Sequence, residues 1–119
     1  MDTVRGPEKG KGVTVISAPR RLDAQQAGSF RAELRELADR GVFRIVADLS
    51  QTETIDSSGL GALVSRIAII RENGGDMRLA GCNEFVTGLL NITHLDQVFT
   101  CYPTVEEAMK SFGHPPDPD

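Results

Sequence analysis

The sequence has no tryptophan and a single tyrosine, Tyr102. A protein that stacks bases needs more aromatic side chains than that, and one that tracks a phosphate backbone needs a basic surface, whereas this chain carries a formal net charge of -4. Direct binding of nucleic acid is therefore not expected. Cysteine is nearly as scarce. Cys82 and Cys101 are the only two, neither stands at a metal-ligand spacing from His94 or His114, and the bland reading is a pair of buried, reduced thiols. No apolar run reaches the roughly 18 residues that a membrane-crossing helix needs. The polar start MDTVRGPEKGKG also lacks the apolar core of a secretory signal, so the expectation is a cytoplasmic protein with no membrane partner. Asp23, Asp48 and Asp56 would suit Mg²⁺ if they met in space, but helix capping accounts for Asp23 and Asp56, and neither a metal nor a cofactor is expected.

What is present is the composition of one globular domain. Apolar residues make up 39% and charged residues 25% of 119 residues, enough to bury a core without the charge excess of a disordered chain. Residues 1–12 and 113–119, the latter GHPPDPD, are rich in Gly and Pro and read as flexible tails around a folded segment, 13–112. Within it GVTVIS reads as a strand, and LDAQQAGSFRAELRELADRG as a helix capped by Asp23 with Gln26 three residues on. Its apolar stripe is Ala27, Phe30, Leu34 and Leu37. VFRIVADLS is a strand and SQTET a polar turn. After the next helix, Asn73, Gly74 and Gly75 supply left-handed C-cap chemistry. DMRLAGC is a strand, NEFVTGLL a helix capped by Asn83, QVFTCY a last strand, and Thr104 with Glu107 a capping box for VEEAMKSF. Alternation of this kind predicts an α/β fold: a mixed, mostly parallel sheet of about four strands with about four helices.

The helix opening at IDSSGLGALVSRIAII carries the functional interest. Asp56 or Ser57 suits the N-cap position. At 100° per residue Leu60, Leu63, Val64, Ile67 and Ile70 gather on an expected core face, with Ser58, Ala62, Ser65 and Ile69 opposite and Ser57 nearer the boundary. Ser58 is thus the serine expected at the surface. Gly59 and Gly61 each cost about 1 kcal/mol relative to Ala in a helix interior. One reading is that they leave the Ser58 hydroxyl unshadowed for another protein's active site, with a phosphate there held by first-turn amides and the helix dipole. The other is that small residues allow tight helix packing around a plain N-cap. The segment is neither a P-loop, for want of a Lys after the second Gly, nor a Gly-x-Ser-x-Gly elbow. His94 has no orienting acid beyond Asp96 and reads as a surface or helix-end residue, which disfavours a serine hydrolase.

The run from Arg44 to Phe99 resembles the STAS domain of bacterial anti-sigma factor antagonists. Asp48-Leu49, Ile55, the stretch Asp56-Ser57-Ser58-Gly59-Leu60-Gly61, and Gly74-Gly75 match the family pattern, and the resemblance extends over roughly 12–112. It implies a protein that is not an enzyme. Ser58 matches the serine phosphorylated by a partner that is at once an ATP-dependent serine kinase and an anti-sigma factor. The unmodified protein holds that partner and frees the sigma factor; phosphorylation releases it, and a metal-dependent serine phosphatase resets the switch, the whole forming a partner-switching signal to transcription. Asp23, Asp56, Ser57, Gly59 and Gly61 are implied as the phosphosite surroundings, and Ala62, Ser65 and Ile69 are the expected partner-binding stripe. Arg20 stands where the family has Gly; Arg20 and Arg21 are read either as phosphate partners or as solvated charges. The competing reading is a STAS subunit that is never phosphorylated and serves as a structural or ligand-sensing scaffold.

Overall fold

The computed structural model describes residues 12–113. The expected tails, 1–12 and 113–119, lie outside the described residues except for Gly12 and Gly113. Four strands, β1 (Thr14–Ser17), β3 (Arg44–Asp48), β5 (Asp76–Ala80) and β6 (Cys101–Tyr102), form one sheet in the order β1-β3-β5-β6. A second sheet pairs two-residue strands, β2 (Arg21–Leu22) and β4 (Thr54–Ile55). Every ladder among the described residues is parallel, so the expected sheet is there without an antiparallel member. Central strand β3 is buried at Ile45, Val46 and Ala47 in succession, because both faces are covered, as an unbroken run of apolar residues requires.

The larger core joins Ile16, Ile45, Ala47, Met77 and Leu79 of the sheet to helices α1 (Ala24–Asp39), α2 (Ser57–Val64), α3 (Ile67–Glu72) and α4 (Glu84–Ile92). The opposite face is smaller: Val46 and Ala80 pack on Ala108 of α5 (Val105–Lys110), with Val15, Tyr102 and Phe112 at its edge. Arg78 closes that edge with its guanidinium 4.1 Å from the Phe112 ring centre.

The local chemistry of the helix ends follows the sequence. Asp23 accepts from the Gln25 and Gln26 amides, Asp56 from Gly59, Asn83 from Val86 and Thr104 from Glu107. Ala27, Phe30, Leu34 and Leu37 are the buried stripe of α1. Gly74, at φ +83°, lets the Gly75 amide reach back to the Ile70 carbonyl at 3.0 Å. Two elements differ from expectation. The helix expected through Asn73 is two helices, because Ser65 turns its hydroxyl onto the Ala62 carbonyl at 2.7 Å and Arg66 leaves helical geometry at φ -122°, ψ 9°. The strand expected over QVFTCY is only Cys101–Tyr102, with Leu95–Gln97 in a 3-10 turn before it.

Candidate functional site

The site is built on the short ladder. Leu22 pairs with Ile55, so the next residues, Asp23 and Asp56, leave the C-terminal ends of neighbouring parallel strands side by side. Each opens a helix, and the N-termini of α1 and α2 therefore lie adjacent, both capped by carboxylate. Two further contacts fix the approach to this point. Thr52 is buried and donates its hydroxyl to the Pro19 carbonyl at 2.8 Å, and Asn83 donates its side-chain amide to the Thr52 and Glu53 carbonyls at 3.2 and 3.3 Å. Two-residue strands show no alternation, so only the flanking turn residues were legible in the sequence.

Asp56 Oδ1 accepts from the Gly59 amide at 3.0 Å, which leaves the first-turn amides of Ser57 and Ser58 without an intrahelical acceptor. Ser57 is exposed and Ser58 half-buried, the reverse of the expected ranking. Among the described residues neither hydroxyl has a hydrogen-bond partner. Asp56→Ala is expected to cost about 1 kcal/mol through loss of the cap, read as a shift in the urea midpoint at unchanged slope; no shift would mean the cap is replaced by solvent at no cost.

The difference in ranking comes from the phase of α2. Its buried residues are Gly59, Ala62 and Leu63, whereas Leu60 and Val64 are only half-buried, as is Ile67 on α3, all three packed at the margin of the core. A Cβ on Gly59 would collide with the Leu22 carbonyl oxygen and come within 2.9 Å of Ile55 Cγ2 and Leu22 Cγ. Gly59 is therefore small because the α2 backbone lies directly on the β2–β4 ladder, which is the tight-packing alternative and not an opening for an incoming enzyme. Gly61 is different: its Cβ would stand in ordinary contact, 3.5 Å from Arg31 Nη2.

The expected partner stripe is corrected accordingly. Ala62 is fully buried and presents nothing to a partner. Ser65 is half-buried with its hydroxyl committed to Ala62, and the break at Arg66 puts Ile69 on a new helical phase, where it is 43% exposed. Arg20 is an exposed surface charge, and it is paired with Glu53. It reaches Glu53 with both Nε and Nη2, at 3.2 and 3.0 Å, across the N-terminal end of the ladder. Arg21 is exposed and, together with Arg20, lines a groove with Pro19, Asp23, Gln25 and Gln26. Arg31 was missed: nothing in a charged α1 face distinguishes the one arginine that lies over Gly61. No group of metal-ligating residues occurs among the described residues, and no described helix is long and apolar enough to cross a membrane. His94 is exposed at the end of α4 with φ +65°.

Comparison with known proteins agrees with this architecture. The Thermotoga maritima protein TM1081 has a crystal structure that superposes with a TM-score of 0.77 at 31% identity, covering 87% of this chain and 90% of that one. An anti-sigma-factor antagonist (STAS) domain protein from Planctomyces limnophilus gives 0.72 at 29% identity, over 86% and 92% of the two chains. The anti-sigma F factor antagonist of Paenibacillus polymyxa is 28% identical over 103 residues, 86% of this chain and 88% of its own length. The family model of the STAS domain matches residues 7–108, and with that match, the parallel sheet and the Asp-Ser-Ser-Gly turn at the head of α2 in place, the chain belongs to the STAS domain family.

Proposed function

We propose that this protein is an anti-sigma factor antagonist worked by phosphorylation of Ser58. The observation that carries the reading is the placement of that hydroxyl: second residue of α2, hydrogen-bonded to no described residue, at a helix N-terminus whose Ser57 and Ser58 amides are free to meet an anion. Phosphate there keeps the helix intact, since a dianion at an N-terminus is favoured by about 0.3 to 1 kcal/mol. Gly61 lies one turn on from Ser58, on the same side of α2, where positions three apart are about 5–6 Å from Cβ to Cβ. The Arg31 guanidinium over Gly61 is therefore a cation on the side of α2 that carries the modified side chain in this reading.

The unmodified protein binds an anti-sigma factor that is also its serine kinase, using the exposed head of α2 and the Ile69 surface, and so frees the sigma factor. A metal-dependent serine phosphatase restores the unmodified state. The chain's own part is to bind, present a serine and let go; it supplies no catalytic group. These events belong to the cytoplasm, where sigma factors act.

The test is phosphopeptide mapping after incubation with ATP and the cognate anti-sigma kinase. One phosphate on Ser58 is expected, retained in Ser57→Ala and lost in Ser58→Ala. Phosphate on Ser57 would contradict the site assignment, and none on either serine would favour the unphosphorylated scaffold.

A further inference from the structure

Arg31 stands on α1, but its guanidinium lies over α2: Nη2 is 3.5 Å from where a Cβ on Gly61 would be. Other arginines of this chain are held by acids. Arg20 takes Glu53, Arg40 takes Glu36, and Arg71 and Arg78 share Asp76. Arg31 is exposed and, among the described residues, makes no hydrogen bond or ion pair.

Its position relative to Ser58 follows from the ladder. Leu22 pairs with Ile55 in parallel, so α1 and α2 begin level with each other and pack side by side. Helix side chains lean toward their own N-terminus. Arg31, the eighth residue of α1, therefore reaches back to Gly61, the fifth of α2, and Ser58 is the second. Around α2, Ser58 lies between Gly61, about 60° to one side, and buried Ala62, about 40° to the other. That places it on the flank turned toward α1, which is why Ser58 is half-buried where Ser57 is exposed. Ahead of Arg31 on the facing side of α1 stand Ala24 and Gly28, and a Cβ on Gly28 would meet nothing within 4 Å.

We propose that Arg31 is the phosphate-receiving residue of the switch: when Ser58 is phosphorylated, the guanidinium turns from Gly61 onto the phosphate and holds it in the seam between α1 and α2. This rests on Ser58 being the modified serine. Positions three apart on a helix are about 5–6 Å from Cβ to Cβ, and the guanidinium already touches the second of them, so a rotamer change of one long side chain closes the distance without moving the backbone. The planar fork donates two parallel N–H bonds to phosphate oxygens, and the first-turn amides donate to another. The pairing sets the charge of the switch. Phosphoserine gives up its second proton near pH 6, as a rule. The carboxylates of Asp56 and Asp23, at the two caps, push that pKa up, and Arg31 pulls it down. Arg21, exposed before Asp23, and Arg35, one turn along α1, are the other cations of this end, since Arg20 is paired with Glu53. With Arg31 in place the phosphate is a dianion at neutral pH in spite of the two carboxylates.

The experiment installs phosphoserine at position 58 of the full chain during translation, which needs no kinase, and titrates its phosphorus NMR signal. The second pKa should be about half a unit to one unit lower with Arg31 than in Arg31→Gln, and the difference should shrink in roughly 1 M salt, where the Debye length is about 3 Å. Arg31→Lys should restore part of the shift and Arg35→Gln should leave it unchanged. In the wild-type chain the Arg31 Nε–H signal should move when the phosphate becomes a dianion, and circular dichroism should show Arg31→Gln folded. Equal pKa values with and without Arg31, a stationary Arg31 signal, or an equal effect of Arg35→Gln would overturn the pairing even where the kinase modifies Ser58. The expected shift in a chain whose Ser58 the kinase ignores would instead support the pairing and contradict the function proposed above.

Discussion

Gly59→Ala is expected to lower stability by about 3 kcal/mol, and Gly61→Ala, the same change two residues later on the same helix, to raise it by up to about 1 kcal/mol. The opposite signs follow from what each new methyl meets. At Gly59 it meets the Leu22 carbonyl and the Ile55 and Leu22 side chains. The carbonyl belongs to the β2–β4 ladder and also accepts from the Asp56 amide at 3.3 Å, so relief requires lifting α2 away from the strands that carry both caps. At Gly61 it meets only the tip of Arg31, at 3.5 Å, and the usual helix preference of Ala over Gly operates. Urea unfolding of the two variants measures the difference. Equal and small effects would show that α2 does not rest on the ladder as described.

Ser58→Asp is expected to weaken binding to the anti-sigma kinase by a thousandfold or more while leaving the fold intact. A negative charge at this N-terminus is compatible with the helix dipole, so the loss does not come from unfolding. It comes from the interface, where a charge on a half-buried serine must be desolvated against a partner surface that offers it no cation, at a cost of several kcal/mol, or a factor of a thousand at about 4 kcal/mol. Ser58→Ala should bind tightly and accept no phosphate, and Ser57→Ala should behave like the unmodified protein. Circular dichroism of each variant separates lost binding from lost structure. Tight binding by a folded Ser58→Asp would remove the electrostatic basis of release.

The features legible in the sequence share a local cause. Caps at Asp23, Asp56, Asn83 and Thr104 depend on residues three or fewer positions away, and the α1 stripe runs from Ala27 to Leu37 within a sixteen-residue helix; both signals are complete within a short window. The β2–β4 ladder is not, because two residues carry no period and their pairing joins segments more than thirty positions apart. Its omission is what shifted the reading of α2: Leu63, like Ile70 of α3, is buried as expected, but Gly59 and Ala62 are buried as well. Without Leu22 beneath it, the small face of Gly59 and Ala62 reads as open surface, and the larger Leu60 and Val64 as the core. The ladder buries Gly59 and Ala62 instead and leaves Leu60 and Val64 at the margin of the core, since close approach of a helix to a backbone selects the smallest side chains. The phosphorylatable residue was legible through the Asp-Ser-Ser-Gly turn and its family resemblance, but the surface around it was not: Ala62 lies underneath, Arg20 is held by Glu53, and Arg31 arrives from another helix.

The central claim is that one phosphate on Ser58 switches partner binding without changing the fold. Calorimetric titration of the cognate anti-sigma kinase with the unmodified protein and with the protein phosphorylated on Ser58 tests it most directly, each form being checked by circular dichroism and thermal unfolding. The account predicts superimposable spectra, a thermal midpoint that does not fall on phosphorylation, tight binding by the unmodified form and affinity at least a thousandfold weaker for the phosphorylated one. Equal affinities for the two forms, or weak binding accompanied by loss of helical signal, would contradict it.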